Sequence, residues 1–322
     1  MMKKRCLIIY NEPSPDALPD ELDVLDQVNF IGSTLESLGY DADRRGITDD
    51  FMQEIAGIAD EGYEFIFNLV ESVGKKAEIL YFIPALLNMH HIPYTGCPVE
   101  ATFVTASKVL ARSFMRANGI PVAGGYRVSE APRLVRGRKY ILKPVWEDGS
   151  LGITEESVFT FDGNLPEILR DKNDNHWFIE EFIEGREFNV SMIAGPDGPE
   201  VLPPAEMIFH EYPDDIPRIV SYKAKWMEDT FQYDHTRRNF PSDLSDRLMK
   251  NIREAVLACW HTFGLKGYAR VDIRTDADEN VYVLEVNANP CISPDSGFIS
   301  AAGQAGYSNG EIISHIINDL NK

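Results

Sequence analysis

The 322-residue chain carries a formal charge of −20 and an apolar share of 44%, the make-up of an ordinary globular protein large enough for two or three lobes. So acidic a surface excludes nucleic acid as the expected partner, because phosphates need Lys and Arg to neutralise them. After Met1-Met2-Lys3-Lys4-Arg5 the apolar run Cys6 to Tyr10 is too short for a signal peptide, and no later run approaches the ~20 residues of a membrane span. Cys6, Cys97, Cys259 and Cys291 show no CxxC spacing and read as free thiols. The expectation is a cytoplasmic protein with neither a membrane nor a nucleic-acid partner.

Leu7-Ile8-Ile9-Tyr10 predicts a short strand, followed by a proline-rich loop from Asn11 to Pro19. Leu22, Leu25, Val28, Ile31, Leu35 and Leu38 recur at helical spacing, and Gly39 closes that helix. Phe65 to Val70 is a second strand, Ile79 to Met89 a helix, and Ile92 to Gly96 a short strand entering a turn. Strands alternating with helices indicate a small parallel α/β lobe. His90 and His91 stand at the junction after that helix and read as bland.

Ala106 to Asn118 predicts a helix stopped by Gly119 and Pro121. Tyr140 to Pro144 is a strand that runs into Asp148-Gly149-Ser150-Leu151-Gly152, so Lys143 and a two-glycine loop could hold a phosphate; a tight turn between strands is the plain alternative. Trp177 to Ile183 and Asn189 to Ile193 are further strands, joined by Glu184 to Phe188. That junction can read an adenine and its ribose, or equally form a salt-bridged turn around Arg186. From Glu206 to Phe240 the pattern gives way to prolines, aromatics and most of the local basic charge, and an ordered lid is expected. Ser242 can cap a helix reaching Phe263, with Cys259 on its apolar face and Gly264 as its stop. Gly310 to Leu320 predicts a closing amphipathic helix.

The densest chemistry lies between Gly267 and Gly297. Tyr268 to Thr275 and Val281 to Asn287 alternate as two strands around the turn cluster Asp276 to Asn280. With a loop of Ala277 to Asn280, Asp272 faces Glu285 and Arg270 faces Asn287, although a slip of one residue would reverse the faces. Opposed carboxylates repel, and a divalent cation between them would remove that cost. Two carboxylates and an amide oxygen are hard ligands that suit Mg²⁺. A solvated acidic ribbon is the plain alternative, against which stand Leu284, Val286 and the cation Arg270.

Lys143 with the glycine loop, the Glu180 to Glu187 segment and the RVD…LEVNANP hairpin, together with FNLVE at Phe67 to Glu71, PYTG at Pro93 to Gly96 and SPDSGF at Ser293 to Phe298, resemble the ATP-grasp superfamily and, more narrowly, D-alanine–D-alanine ligases. The resemblance covers nearly the whole chain. It implies an α/β protein with an ATP-grasp fold: an N-terminal Rossmann-like lobe over 1–104, and lobes 105–190 and 191–322 that clamp ATP. The reaction implied is phosphorylation of a carboxylate by ATP, followed by attack of an amine on the acylphosphate. Carried over by position, Lys108, Lys143, Gly149, Ser150 and Gly152 would meet the ATP phosphates, Glu180, Glu181 and Ile183 the adenine, and Glu187 the ribose. Asp272, Glu285 and Asn287 would hold two Mg²⁺ ions, which Mn²⁺ could replace. Lys225 and Arg270 would stabilise the transferring and developing negative charge.

At the substrate end the chain departs from the pattern. The family's glycine- and serine-rich first loop is Asn11-Glu12-Pro13-Ser14-Pro15, with Glu12 a displaced counterpart of the family glutamate. Trp226 replaces a tyrosine, Gly149 a serine, and Cys291 the glycine after NxNP. Ser296 and Gly297 stand where the family holds the second substrate's carboxylate. The expected partner is thus a small-molecule amino acid or amine, and a homodimer is the assembly common among similar proteins. The resemblance predicts an ADP-forming amino-acid ligase. The other readings are a cyclising or peptide-modifying ligase and a nucleotide-binding module without turnover.

Overall fold

The computed structural model describes residues 4–74, 76–147 and 149–321; Asp148, at the head of the expected phosphate loop, lies outside them. Strand β1 (Lys4–Asn11) is the centre of a parallel sheet, flanked by β2 (Tyr40–Ile47) and β3 (Phe65–Leu69). Helix α1 (Pro19–Ser37) covers one face and α2 (Phe51–Ile58) and α3 (Phe82–Met89) the other. The expected strand at Ile92 to Gly96 shrinks to two isolated bridges at Tyr94, an antiparallel one to Asn321 and a parallel one to Ile66, in which Ile66 N–H donates to Pro93 O at 2.8 Å and Thr95 N–H to Ile66 O at 3.0 Å. A proline in the run removes the donor that a longer ladder would need.

Helices α4 (Val99–Ala106) and α5 (Lys108–Ala117) follow, split by Ser107, whose hydroxyl caps α5 at Leu110 N. Next comes an antiparallel sheet of β4 (Gly125–Arg127), β5 (Lys139–Pro144), β6 (Val158–Thr160) and β7 (Trp177–Glu181), in the order β4-β7-β5-β6. The largest sheet holds β8 (Arg186–Gly195), β9 (Gly198–Val201), β10 (Ala205–Phe209), β11 (Thr236–Asn239), β12 (Tyr268–Thr275) and β13 (Val281–Asn287). The expected irregular segment therefore holds strands at both ends, and between them the short helices α6 (Tyr222–Trp226) and α7 (Phe231–His235).

Helix α8 (Asp246–Phe263) lies across this sheet. Ser245, one turn later than expected, caps it at Leu248 N (3.0 Å), and Gly264 ends it in the left-handed region at φ 61°. Leu248, Ile252, Val256 and Cys259 pack on Val271, Ile273, Val283 and Val286. Helix α5 joins this same core through Ala111 and Met115. Helices α9 (Gly297–Gln304) and α10 (Asn309–Asn318) pack back against α1 and the first sheet, so the chain's end closes onto its beginning.

The facing of β12 and β13 is reached by a different route from the expected one. Thr275 pairs with Val281, which makes the loop Asp276 to Asn280 one residue longer than anticipated. The register then shifts between Asp272 and Ile273: Ile273 pairs with Val283, Asp272 with Glu285 and Arg270 with Asn287. Leu284 is the extra residue of a β-bulge. Val281 and Val283 point into the core, and so does Val286; the bulge changes the phase and leaves Glu285 on the opposite face.

Arg112 of α5 ties the second sheet to this core. It is 8% exposed, and its Nη1 meets Glu180 of β7 at 2.8 Å. Two stability predictions follow from this packing. Ile252→Ala should cost about 2–5 kcal/mol in urea unfolding, whereas Lys250→Ala on the outer face of α8 should stay within about 0.5 kcal/mol. Arg112→Ala, which removes one cation from a buried carboxylate, should cost about 3–5 kcal/mol; a loss under about 1 kcal/mol would mean that Lys143 alone suffices for Glu180.

Candidate active site

A cavity lies between the second and third sheets, walled by β5, β7 and the 149–153 loop on one side and by β8, β10, β12 and β13 on the other. Every sequence-predicted site residue lines it except Gly152 and Asn287. Gly152 packs beside the Trp177 ring, 3.3 Å from where a Cβ would stand. Asn287 sits at the carboxylate pair, its Nδ2 3.4 Å from both Asp272 Oδ2 and Glu285 Oε1.

Asp272 and Glu285 project from adjacent strands into the cavity and are neutralised by Arg270, two residues from Asp272 on the same strand, and by a lysine that sequence spacing could not bring to them. Arg270 Nε and Nη2 grip both oxygens of Asp272 at 2.7 and 2.8 Å, and Asn189 of β8 donates to Oδ1 at 2.8 Å. Lys108, at the start of α5, lies 3.2 Å from Glu285. Burial and the neighbouring Glu285 push Asp272 up to about 6, against the pull of Arg270. Burial also opposes charge on Glu285, but Lys108, Asp272 and Arg270 hold it below the usual carboxylate range.

Along the second sheet, Lys143 Nζ donates to Glu180 Oε2 at 2.7 Å while Arg112 takes the other oxygen. Glu180 is 2% exposed and thus shared by two cations. Lys108 Nζ also reaches Glu147 O at 2.6 Å, which brings α5 up to the phosphate-loop segment. At the far end, Arg274 Nε meets Glu187 at 2.9 Å, Nη1 reaches Ile183 O at 2.7 Å, and its Cζ stacks 4.6 Å over Phe182. Glu181 pairs with Arg138 at 3.0 Å.

The glycine loop closes against the segment before α6. Gly149 has φ 64° and Ser150 φ 66°. Trp226 Nε1 donates to Gly149 O at 3.0 Å, and Ser150 Oγ to Val220 O at 2.7 Å. Lys225 Nζ lies 4.8 Å from the centre of the Trp226 ring, and this ammonium has no hydrogen bond or ion pair among the described residues. Burial and then the Arg270 cation push its pKa down.

The remaining wall combines the turn after β13 with α1. Cys291 Sγ donates to Asp23 Oδ2 at 3.0 Å and lies 3.1 Å from Ser293 Oγ. Gln27 of α1 donates to Asp23 and to Glu71 and accepts from Ile292 N. Burial, with Asp23 and Glu71, pushes the Cys291 thiol up to about 12, so it remains a proton donor and not a thiolate nucleophile. Glu12 is turned away: its carboxylate lies over Gly46 of β2, within 1.8 Å of where a Cβ would be. Ser296 caps α9 at Ile299 N, beside Gly297 and Arg238. Sequence reading did not select Arg112, Asn189, Arg274, Arg238, Asp23 or Gln27. Only the basic run of the lid segment signalled one of them, Arg238.

Comparison with known proteins accords with this geometry. Residues 138–318 match the family model described as the D-ala D-ala ligase C-terminus. A D-alanine–D-alanine ligase of Actinobacillus succinogenes is 27% identical over 293 residues, spanning 88% of this chain and 88% of its own. The ATP complex of the D-alanine–D-alanine ligase from Bacillus anthracis superposes with a TM-score of 0.74 at 20% identity, covering 99% of this chain and 97% of that one. VanG D-Ala:D-Ser ligase from Enterococcus faecalis gives 0.71 at 15% identity, covering 98% and 99%. With that fold and this matched span, the chain belongs to the D-alanine–D-alanine ligase family of ATP-grasp proteins.

Proposed function

We propose that this protein is an ATP-dependent carboxylate–amine ligase that joins an amino acid to an amine through an acylphosphate. The observation that carries the reading is the opposed pair Asp272 and Glu285, with Asn287 beside both, opening onto a cavity whose cations include Lys225, an ammonium with no ion-pair partner among the described residues. Phosphoryl transfer is mainly positioning plus stabilisation of spread negative charge, and these are the groups it needs.

The carboxylate pair fits two Mg²⁺ ions, or Mn²⁺, held jointly with phosphate oxygens. Among the described residues no cluster of three or more His, Cys, Asp or Glu forms a closed cage, whereas Asp272, Glu285 and the Asn287 amide provide a few hard oxygens with room for others. The metal would neutralise charge on the transferring group. Lys108 and Lys143 then serve the phosphates from the floor, and Gly149 and Ser150 cover them, with Gly152 beside Trp177 behind the loop. Glu180, Glu181 and Ile183 border the adenine and Glu187 the ribose. Lys225 faces the transferring phosphoryl group, and Arg270, held in plane by Asp272, stabilises the oxyanion formed when the amine attacks. Trp226 and Cys291 shape the donor end, and Ser296 and Gly297 receive the acceptor's carboxylate. No side-chain nucleophile is required.

A module without turnover would have no use for so many charged groups held at one cavity. We further propose a cytoplasmic protein; no helix among the described residues is long and apolar enough to cross a membrane. The test is phosphate release from Mg-ATP with D- and L-amino acids, singly and in pairs, with the products weighed by mass spectrometry. Glu285→Gln should lower turnover by about 10²-fold or more while circular dichroism and the melting temperature stay near wild type. An unchanged rate would sink the metal assignment, and a product from one acceptor-bearing molecule alone would favour a cyclising ligase.

A further inference from the structure

The proposed reaction gives no task to two cations that line this cavity: Arg274, which is taken up by Glu187 and Ile183 O, and Arg238. Arg238 stands on β11 opposite Met207 of β10, and its guanidinium reaches the start of α9. Nη1 is fixed there by Asp295 O at 3.0 Å, Ser296 O at 3.3 Å and Ser300 Oγ at 2.8 Å. The other edge, Nε with Nη2, has no acceptor among the described residues and lies 3.7 Å from the place a Cβ on Gly297 would take. Among the described residues no carboxylate comes within ion-pair distance of Arg238. Asp295 is adjacent, but its carboxylate accepts from Ser293 Oγ at 3.0 Å.

A guanidinium anchored at one nitrogen and open along its opposite edge is preset to take a carboxylate bidentately. A purely structural strap between β11 and α9 would use Nη1 alone and leave the open edge unexplained. The charge balance points the same way. Arg238 stands near Arg270 and a second cation, Lys225, lies in the same cavity, so an additional negative charge from the ligand would relieve their repulsion. Asp272 already occupies Arg270, and the transferring phosphoryl group is the proposed counter-charge of Lys225. The acceptor's α-carboxylate has Ser296 and Gly297. The free edge of Arg238 is then a place for one more anion on the acceptor.

We infer that Arg238 makes this ligase selective for an acceptor amine bearing a second carboxylate, as in a dicarboxylic amino acid, with the open guanidinium edge holding that group. The inference rests on the ligase reading above, and the test separates the two. Wild-type protein with Mg-ATP and hydroxylamine is first given each proteinogenic amino acid in both enantiomers. Hydroxylamine attacks an acylphosphate and releases phosphate as a hydroxamate forms, so it reports the donor half-reaction without an amino-acid acceptor. With the best donor, aspartate is then compared with asparagine and glutamate with glutamine as acceptors, again in both enantiomers, for wild type and Arg238→Gln.

The wild type should use the acid over the amide by about tenfold or more in kcat/KM, the range of a charge-assisted hydrogen-bonded contact, and Arg238→Gln should bring that ratio close to one. The ratio is the readout, so a general loss of activity in the variant does not imitate the result. Equal use of acid and amide by the wild type, or a preference that survives Arg238→Gln, overturns the inference. Hydroxamate formation without a charge preference removes this inference alone. No hydroxamate from any donor removes the ligase reading and this inference together.

Discussion

The site depends on one irregularity, the bulge at Leu284. A regular β13 would carry Val281, Val283 and Glu285 on the same face and send the carboxylate into the core beneath α8. The extra residue changes the phase, so that Val283 and Val286 both pack inward while Glu285 faces the cavity with Asn287 beside it at the carboxylate pair. Bulges re-aim side chains at the cost of a locally disturbed ladder, and here the flanking strand limits that cost. On its other side β12 is paired with β8 along its whole length, from Tyr268 to Thr275. Asp272 is thereby fixed between Asn189 and Glu285, and it in turn places Arg270, which grips both of its oxygens.

Placing two carboxylates opposite one another in a buried site is unfavourable unless positive charge accompanies them. The chain supplies it from near and far: Arg270 from the same strand, Lys108 from the start of a distant helix whose apolar face belongs to the same core. Glu180 is handled in the same way by Arg112 and Lys143. These are exchangeable pairings as well as structural ones. In the proposed reading a nucleotide with its metal would bring charge of both signs, so Lys108 would turn to phosphate as metal takes over Glu285, and Lys143 would do so while Arg112 stays on Glu180. Lys225, which has no such partner, is the group whose burial is least compensated in the free protein.

What the sequence could disclose follows from how local each feature is. The facing of Asp272 with Glu285 is carried by a hairpin, and although the loop takes in the whole turn cluster, one residue more than the anticipated Ala277 to Asn280, the bulge restores the same partners. Its trace was present in the residues: valines at 281 and 283 and then at 286 show alternation changing phase. Strand β2 was not legible, because YDADRRGI is an edge strand with an exposed face and no apolar run. Helix α4 was hidden for the opposite reason, since its boundary with α5 is only the extended residue Ser107. Arg112, Asn189, Arg274 and Asp23 could not be selected from spacing, as their partners lie tens to hundreds of residues away and only the assembled core brings them together.

The altered substrate end is physically coherent once Gly149, Trp226 and Glu12 are considered together. A side chain at 149 would meet Trp226 Nε1 at 3.8 Å, which is ordinary contact, so space does not require the glycine. Its backbone does: φ 64° is left-handed, and the following residue, Ser150, already bears the same strain at φ 66°. Ser150 does not restore a hydroxyl to the cavity, since its Oγ is engaged by Val220 O. The indole of Trp226 holds the Gly149 carbonyl instead, locking the loop to the segment that carries Lys225. With Glu12 turned toward Gly46, the acidic group left on this wall is Asp23, one turn into α1 and bonded to the Cys291 thiol. In the proposed reading the wall that would meet the donor lies on the helix after β1 and not on the loop before it, and a side chain on a helix is held more rigidly than one on a loop.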